Sequence, residues 1–197
     1  MSPARARTNT SDIVAAGRAL LEAGGLDAVT MQAVAGRVGV RAPSLYKRVP
    51  SRAALVSAIG ANALDDLQGR IEPLADGPDP VAGLRSIAAA YRAFAHANPR
   101  SYELLFMNLP PESRPPADLN EAAAAPLLAL AERLVGHDRA LDAARLVTAF
   151  ANGFISMELS GAFRLGGDVD DAYRYGVGVL VDALAAGPRQ PDERQAG

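Results

Sequence analysis

The chain has 197 residues, 49% of them hydrophobic and 21% charged, with a formal net charge of −2. That is enough to bury a core, and the balance is that of a folded protein, not a disordered one. It has no cysteine, which excludes disulfides, thiolate nucleophiles and cysteine metal ligands. No apolar run has the length of a membrane span, and Met1–Ser11 is polar with two arginines where a signal peptide would be apolar. The expected compartment is the cytoplasm.

In chain order, residues 1–11 read as a disordered basic arm. From Asp12, Ile13, Ala16, Leu20 and Leu21 keep helical spacing. Ser11 or Asp12 serves as cap and Gly24-Gly25 as stop. Thr30 caps a short second helix carrying Met31, Val34, Ala35 and Val38 on one face, and Gly39 breaks it. A third covers about 41–48, with Pro43 in its first turn, where the missing N–H costs nothing. Pro50-Ser51 opens a fourth, whose stripe Leu55, Ile59, Ala63, Leu67 and Ile71 runs to Pro73.

A loop leads to a fifth helix over about 81–97. Asn98-Pro99 stops and restarts the chain into a sixth, to about 108. The proline-rich stretch 110–116 is a loop, and a seventh helix spans about 119–135. After Gly136 an eighth runs from about 139 to 165, ended by Gly166-Gly167. Asp168 and Asp171 form the start of a ninth, with Tyr173, Val177, Leu180, Val181 and Leu184 at helical spacing to Gly187. There is no alternating strand pattern and no internal repeat. The fold class is all-α, with about nine helices.

Charge is unevenly distributed. Residues 1–56 hold eight Lys/Arg and three Asp/Glu, a net of +5, and the other 141 residues net −7. A basic head on an acidic body points to a polyanion partner for the head. Within it, Thr30 to Arg48 is built as a helix-turn-helix: two short helices joined at a glycine. Met31, Val34, Ala35, Val38, Val40, Leu45 and Val49 would face inward. Arg41, Ala42, Ser44, Lys47 and Arg48 remain outside, with Tyr46 at the edge. This small, basic face suits the major groove of double-stranded DNA. Lys47 is the only lysine in the chain.

The run through Gly24, Thr30, Ala33-Val34-Ala35, Val38-Gly39-Val40, Pro43-Ser44-Leu45-Tyr46, Arg52 and Leu55 resembles the N-terminal domain of the TetR family of transcriptional regulators. Arg48, Val49 and Arg52 stand where that family often has histidine, phenylalanine and lysine. The resemblance implies that Thr30, Ser44, Tyr46 and Arg52 hold phosphates. It implies that Arg41, Ala42, Pro43, Lys47 and Arg48 face bases or the groove wall, with Arg5 and Arg7 available to the minor groove. The stretches Ala90–Phe106 and Phe150–Phe163 resemble a subgroup with a Trp-His-Gly type C-terminal domain. Here Asn152 precedes Gly153 in place of histidine, and the chain has no tryptophan.

The expected organisation is therefore an arm (1–11), a helix-turn-helix head (12–56), an effector-binding and dimerisation domain (57–187) and a disordered tail (188–197). In such proteins the last two helices pair with those of a second subunit, which points here to Gly153, Ser156, Ser160 and Gly161 with Tyr173, Val177, Leu180, Val181 and Leu184. The candidate effector pocket is Tyr91, Phe94, Tyr102, Phe106, Met107, Phe150, Asn152, Phe154, Met157 and Glu158. Glu158 stands out as a carboxylate among apolar neighbours, which must be paired, protonated or ligand-facing. The expected protein is a homodimeric repressor released from its operator by a small hydrophobic molecule. It needs no cofactor, metal or membrane.

Two alternatives stay open. An enzyme is disfavoured because His96 and His137 lie in different segments, and neither has a second ligand one helical turn away. A DNA-binding module without an effector remains compatible with the sequence.

Overall fold

The computed structural model describes residues 9–187. Nine α-helices lie within them: α1 (Thr10–Ala28), α2 (Met31–Arg37), α3 (Ala42–Leu45), α4 (Arg52–Ile71), α5 (Pro80–Ala97), α6 (Pro99–Phe106), α7 (Ala117–Val135), α8 (His137–Leu159) and α9 (Val169–Ala186). Two single-turn 3-10 segments, Glu72–Leu74 and Pro111–Ser113, punctuate the loops. Among the described residues there is no strand, and no helix is long and apolar enough to cross a membrane.

The helices separate into two compact units. The first comprises residues up to 68 together with 94–123, and the second comprises 69–93 with 124 onward. The division differs from the expected boundary at residue 56, because α6 packs on α1 and belongs with the head. Residues 1–8, with Arg5 and Arg7, and the tail 188–197 lie outside the described residues.

In the first unit, α1 begins earlier than its apolar spacing indicates. Asn9, rather than Ser11 or Asp12, is the cap. Its side chain accepts from the Asp12 amide at 2.7 Å, while the Asp12 carboxylate accepts from the Asn9 amide at 3.1 Å. This capping box satisfies two otherwise orphaned donors, so residues 9–11 belong to the helix and not to an arm. Gly25 kinks α1 and one further turn follows it. The core gathers Ile13, Leu21, Val34, Leu45, Leu55 and Ile59 with Leu104 of α6. Arg18 crosses this packing as a polar staple. It donates to Asp66 (2.7 Å), Asn62 (3.0 Å), Asn98 (3.0 Å) and the buried Ser101 hydroxyl (3.3 Å). Glu22 accepts from the Ser101 and Arg100 amides at 2.9 and 3.1 Å, so a carboxylate of α1 caps the start of α6.

In the second unit, α8 packs on α9. The eighth helix ends at Leu159, not near residue 165. Gly161 takes φ +69°, its amide reaches the Glu158 carbonyl, and the Ala162 amide reaches that of Met157, both at 2.9 Å. This six-to-one, five-to-two pattern closes a helix with a left-handed residue. Ala162, Phe163 and Leu165 imitate helical periodicity but follow the stop. Asp168 caps α9 as expected, accepting from the Asp171 amide at 3.0 Å.

Candidate nucleic-acid interface

The geometry of α2 and α3 follows from local chemistry. The Thr30 hydroxyl oxygen accepts from the Ala33 amide at 3.1 Å and starts α2. At the other end Gly39 takes φ +73°. Its amide reaches the Gly36 carbonyl at 3.3 Å, and the Val40 amide reaches that of Ala35 at 3.0 Å. This turn re-aims the chain and delivers Arg41, with extended backbone, as the residue that opens α3. Only Ala42–Leu45 is α-helical. Residues 46–48 continue as turns, shorter than the expected 41–48 helix.

Leu45 and Val49 are buried and pin α3 to the core. Met31, Val34 and Ala35 are buried as expected, whereas Val38 and Val40 are half-buried and pack against the same cluster. Arg41, Pro43, Ser44, Tyr46, Lys47 and Arg48 are exposed. Ala42 differs from its expected place on the outer face: it is half-buried and packs on the core.

The side chains of Arg41, Lys47 and Arg48 have no hydrogen-bond or ion-pair partner among the described residues, and neither does Arg37 at the end of α2. Arg37 counted toward the charge of the head but was not placed with the reading residues. Its position just before the turn glycine was the available signal. The other arginines of this unit reach protein acceptors: Arg18 as above, Arg100 to Glu103 (2.8 Å), and Arg114 to the Leu109 carbonyl (2.7 Å). Arg52 is exposed, yet two of its donors are committed to the Val29 (2.7 Å) and Leu26 (2.6 Å) carbonyls at the end of α1. A guanidinium has five donors, so the phosphate role expected of Arg52 falls to the remainder.

The sequence profile described as "Bacterial regulatory proteins, tetR family" matches residues 13–59, and "Tetracyclin repressor-like, C-terminal domain" matches residues 84–180. The chain belongs to the TetR family. It is a DNA-binding transcriptional regulator. It is 28% identical over 159 residues to a protein of Mycobacterium tuberculosis described as an uncharacterised HTH-type transcriptional regulator, covering 79% of this chain and 72% of that one. A protein of unknown function from Rhodococcus superposes with a TM-score of 0.79 at 18% identity, covering 94% of this chain and all of that one. A TetR variant from Acinetobacter baumannii, solved in complex with minocycline, gives 0.65 at 21% identity over 89% of this chain and 96% of that one. A finer placement in a Trp-His-Gly subgroup rests on the residues quoted above alone.

The residues expected to form an effector pocket are divided by the fold. Phe94, Tyr102, Phe106 and Met107 belong to the first unit, and Tyr91, Phe150, Asn152, Phe154, Met157 and Glu158 to the second. In the second unit Phe150 and Phe154 pack with Tyr173 and with each other at ring separations of 5.1–6.1 Å, and Phe163 lies 4.7 Å from Phe154. The Tyr91 hydroxyl donates to Asn152 at 2.5 Å.

Of the three roles open to Glu158, the structure shows the first: it is paired. Arg92 of α5 donates to both of its oxygens at 2.8 and 2.5 Å, and also reaches Asp170 at 2.5 Å. The Arg92 guanidinium lies 5.2 Å from the Tyr173 ring centroid. The hydrogen bonds to Glu158, reinforced by Asp170, hold it protonated more firmly than an ordinary arginine, against the opposing effect of burial.

Part of the α9 face expected to meet a second subunit is turned into the chain's own core. Tyr173, Val177 and Val181 are buried in the chain's own second unit, with Leu180 and Leu184 half-buried. The Tyr173 hydroxyl donates to the Ala88 carbonyl at 2.9 Å. The outward stripe of α9 is instead Tyr175 (75% exposed), Val179 (52%) and Ala183. On α8, Leu146, Gly153, Met157 and Ser160 are exposed. Gly161 follows the end of α8 and serves as its stop.

Proposed function

We propose that this regulator is a dimeric repressor that reads operator DNA with α3 and is released by a small hydrophobic molecule in the cytoplasm. The observation that carries the DNA reading is the set of unpartnered cations. Arg37, Arg41, Lys47 and Arg48 crowd one short segment with no acceptor among the described residues, where most arginines elsewhere have one. Arg41, Pro43, Lys47 and Arg48 are assigned to base edges and the groove wall, and Thr30, Ser44, Tyr46 and the free donors of Arg52 to phosphates.

Dimerisation is supported by the exposed apolar stripes of α8 and α9. Leu146, Met157, Tyr175 and Val179 are large apolar side chains left exposed on these two helices, the kind of surface that a partner covers. A two-fold pair of reading helices would sit one DNA turn apart, about 34–36 Å, or a multiple of it.

The test combines light scattering with fluorescence anisotropy on the protein's own promoter fragment. A dimer mass is expected, with affinity that falls steeply as salt rises. A monomer mass at micromolar concentration would overturn the dimer, and salt-independent binding would overturn the phosphate assignments.

Release by an effector is supported by the family and by the Acinetobacter protein of similar fold, which holds minocycline. A second reading, a DNA-binding module without an effector, is favoured by one observation. In the second unit the expected pocket side chains are already engaged: the aromatic rings with one another, Asn152 with Tyr91, and Glu158 with Arg92. A thermal-shift screen of small hydrophobic compounds, followed by anisotropy with any hit, separates the two. A compound that raises the melting temperature and weakens promoter binding supports ligand release.

A further inference from the structure

Outside α2–α3, one described Lys/Arg side chain alone has no acceptor among the described residues: Arg145 of α8. It lines a groove of about 490 Å³ between α7 and α8, inside the second unit. The walls are Leu127 and Leu128 of α7 and Leu141 of α8, and Ala144 keeps the floor low. Leu128 and Leu141 are large apolar side chains left open to solvent. Thr148 follows Arg145 by one turn on the same stripe. From Leu141 to Thr148 the helix rises about 10 Å. The groove is thus an apolar slot of small-ligand size, whose polar lining is the Arg145 cation, the Thr148 hydroxyl and, at one end, the Asn152 amide, which accepts from Tyr91.

We propose that this groove binds an amphipathic monoanion: a slim apolar body carrying one carboxylate-type head, with the head paired to Arg145. A guanidinium matches a carboxylate in two parallel hydrogen bonds. The apolar body covers Leu128 and Leu141, which otherwise remain wet. A second copy of the chain is the competing occupant. A two-fold contact through this face would bring its own Arg145 toward the first, adding like charge where a counter-charge is needed. The proposal is independent of ligand-released repression, because occupancy is measured on the protein without DNA.

The experiment is calorimetric titration of the full-length protein with octanoate and with octanol, alongside light scattering. Octanoate is expected to saturate at one site per chain, and octanol to bind at least tenfold more weakly. Arg145→Gln should weaken octanoate at least tenfold, and Arg145→Lys much less. Ala124→Phe, an exposed position on the α7 wall, should block both ligands by filling the slot while leaving the melting temperature unchanged. Absence of saturable octanoate binding up to about 1 mM overturns the proposal, as does equal affinity in wild type and Arg145→Gln. A change of oligomeric mass in Arg145→Gln with octanoate affinity unaltered also overturns it, and assigns the groove to a second copy.

Discussion

In the α2–α3 segment, Arg37, Arg41, Lys47 and Arg48 are exposed and have no acceptor among the described residues. In the second unit most arginines do the opposite, with Arg145 the exception. Arg92 ties α5 to Glu158 and Asp170, Arg133 gathers the carbonyls of Ala75, Gly77 and Pro78 at 2.7–3.1 Å, and Arg85 reaches Asp182 at 2.6 Å. A cation already matched inside the fold has little left to offer a polyanion, whereas an unmatched one releases counterions when a phosphate arrives. The distinction lies in the company each arginine keeps, which net charge conceals.

The comparison is broken most severely by stripping the unmatched set. The quadruple Arg37→Ala, Arg41→Ala, Lys47→Ala, Arg48→Ala is expected to lose on the order of a thousandfold in promoter affinity. Its salt slope should flatten by about 0.9 for each phosphate contact removed. Its urea midpoint should stay near that of wild type, because these side chains touch no acceptor. An unchanged affinity in anisotropy titrations would remove the reading face from α2–α3.

Next in size is a matched arginine. Arg92→Met removes the bidentate guanidinium from the mostly buried Glu158 and should cost about 3 kcal/mol in urea unfolding. Adding Glu158→Leu should recover much of it. If the single variant unfolds like wild type, the staple is ornamental.

Gly176→Ala comes third. A Cβ there would overlap the Phe150 ring, and overpacking minus the helix propensity gained gives a net loss of about 1–2 kcal/mol. Phe150→Leu in the same chain should relieve it. Thr30→Ala removes the α2 cap and should lower stability by about 1 kcal/mol, with a modest loss of DNA affinity as well. Smallest is Arg100→Ala. Its pairing with Glu103 is solvent-exposed on both sides, so less than about 0.5 kcal/mol is expected and a larger shift would contradict the surface assignment.

The helix-turn-helix was legible in the chain because its instructions are local. Thr30 caps three residues away, Gly39 turns the chain within five, and Leu45 and Val49 are spaced to anchor a helix. The long stripe Leu55, Ile59, Ala63, Leu67 and Ile71 was legible for the same reason, and all five are buried. The outward placement of Arg41, Pro43, Ser44, Lys47 and Arg48 follows from those anchors.

Two features required the folded chain. The ninth helix carries two apolar stripes, Tyr173/Val177/Val181 and Tyr175/Val179/Ala183, and periodicity alone does not say which one the core takes. The tertiary structure chose the first by setting Tyr173 against Phe150, Phe154 and the Ala88 carbonyl. Glu158 was recognisable as a carboxylate that needed an answer, but Arg92 lies 66 residues away, and no local rule reaches that distance. By itself, then, the sequence determined the helices, their caps and the basic head, since those depend on neighbours within a turn or two. Only the tertiary structure decided which apolar face turns inward and which arginines are left unmatched, because both depend on partners brought together from distant parts of the chain.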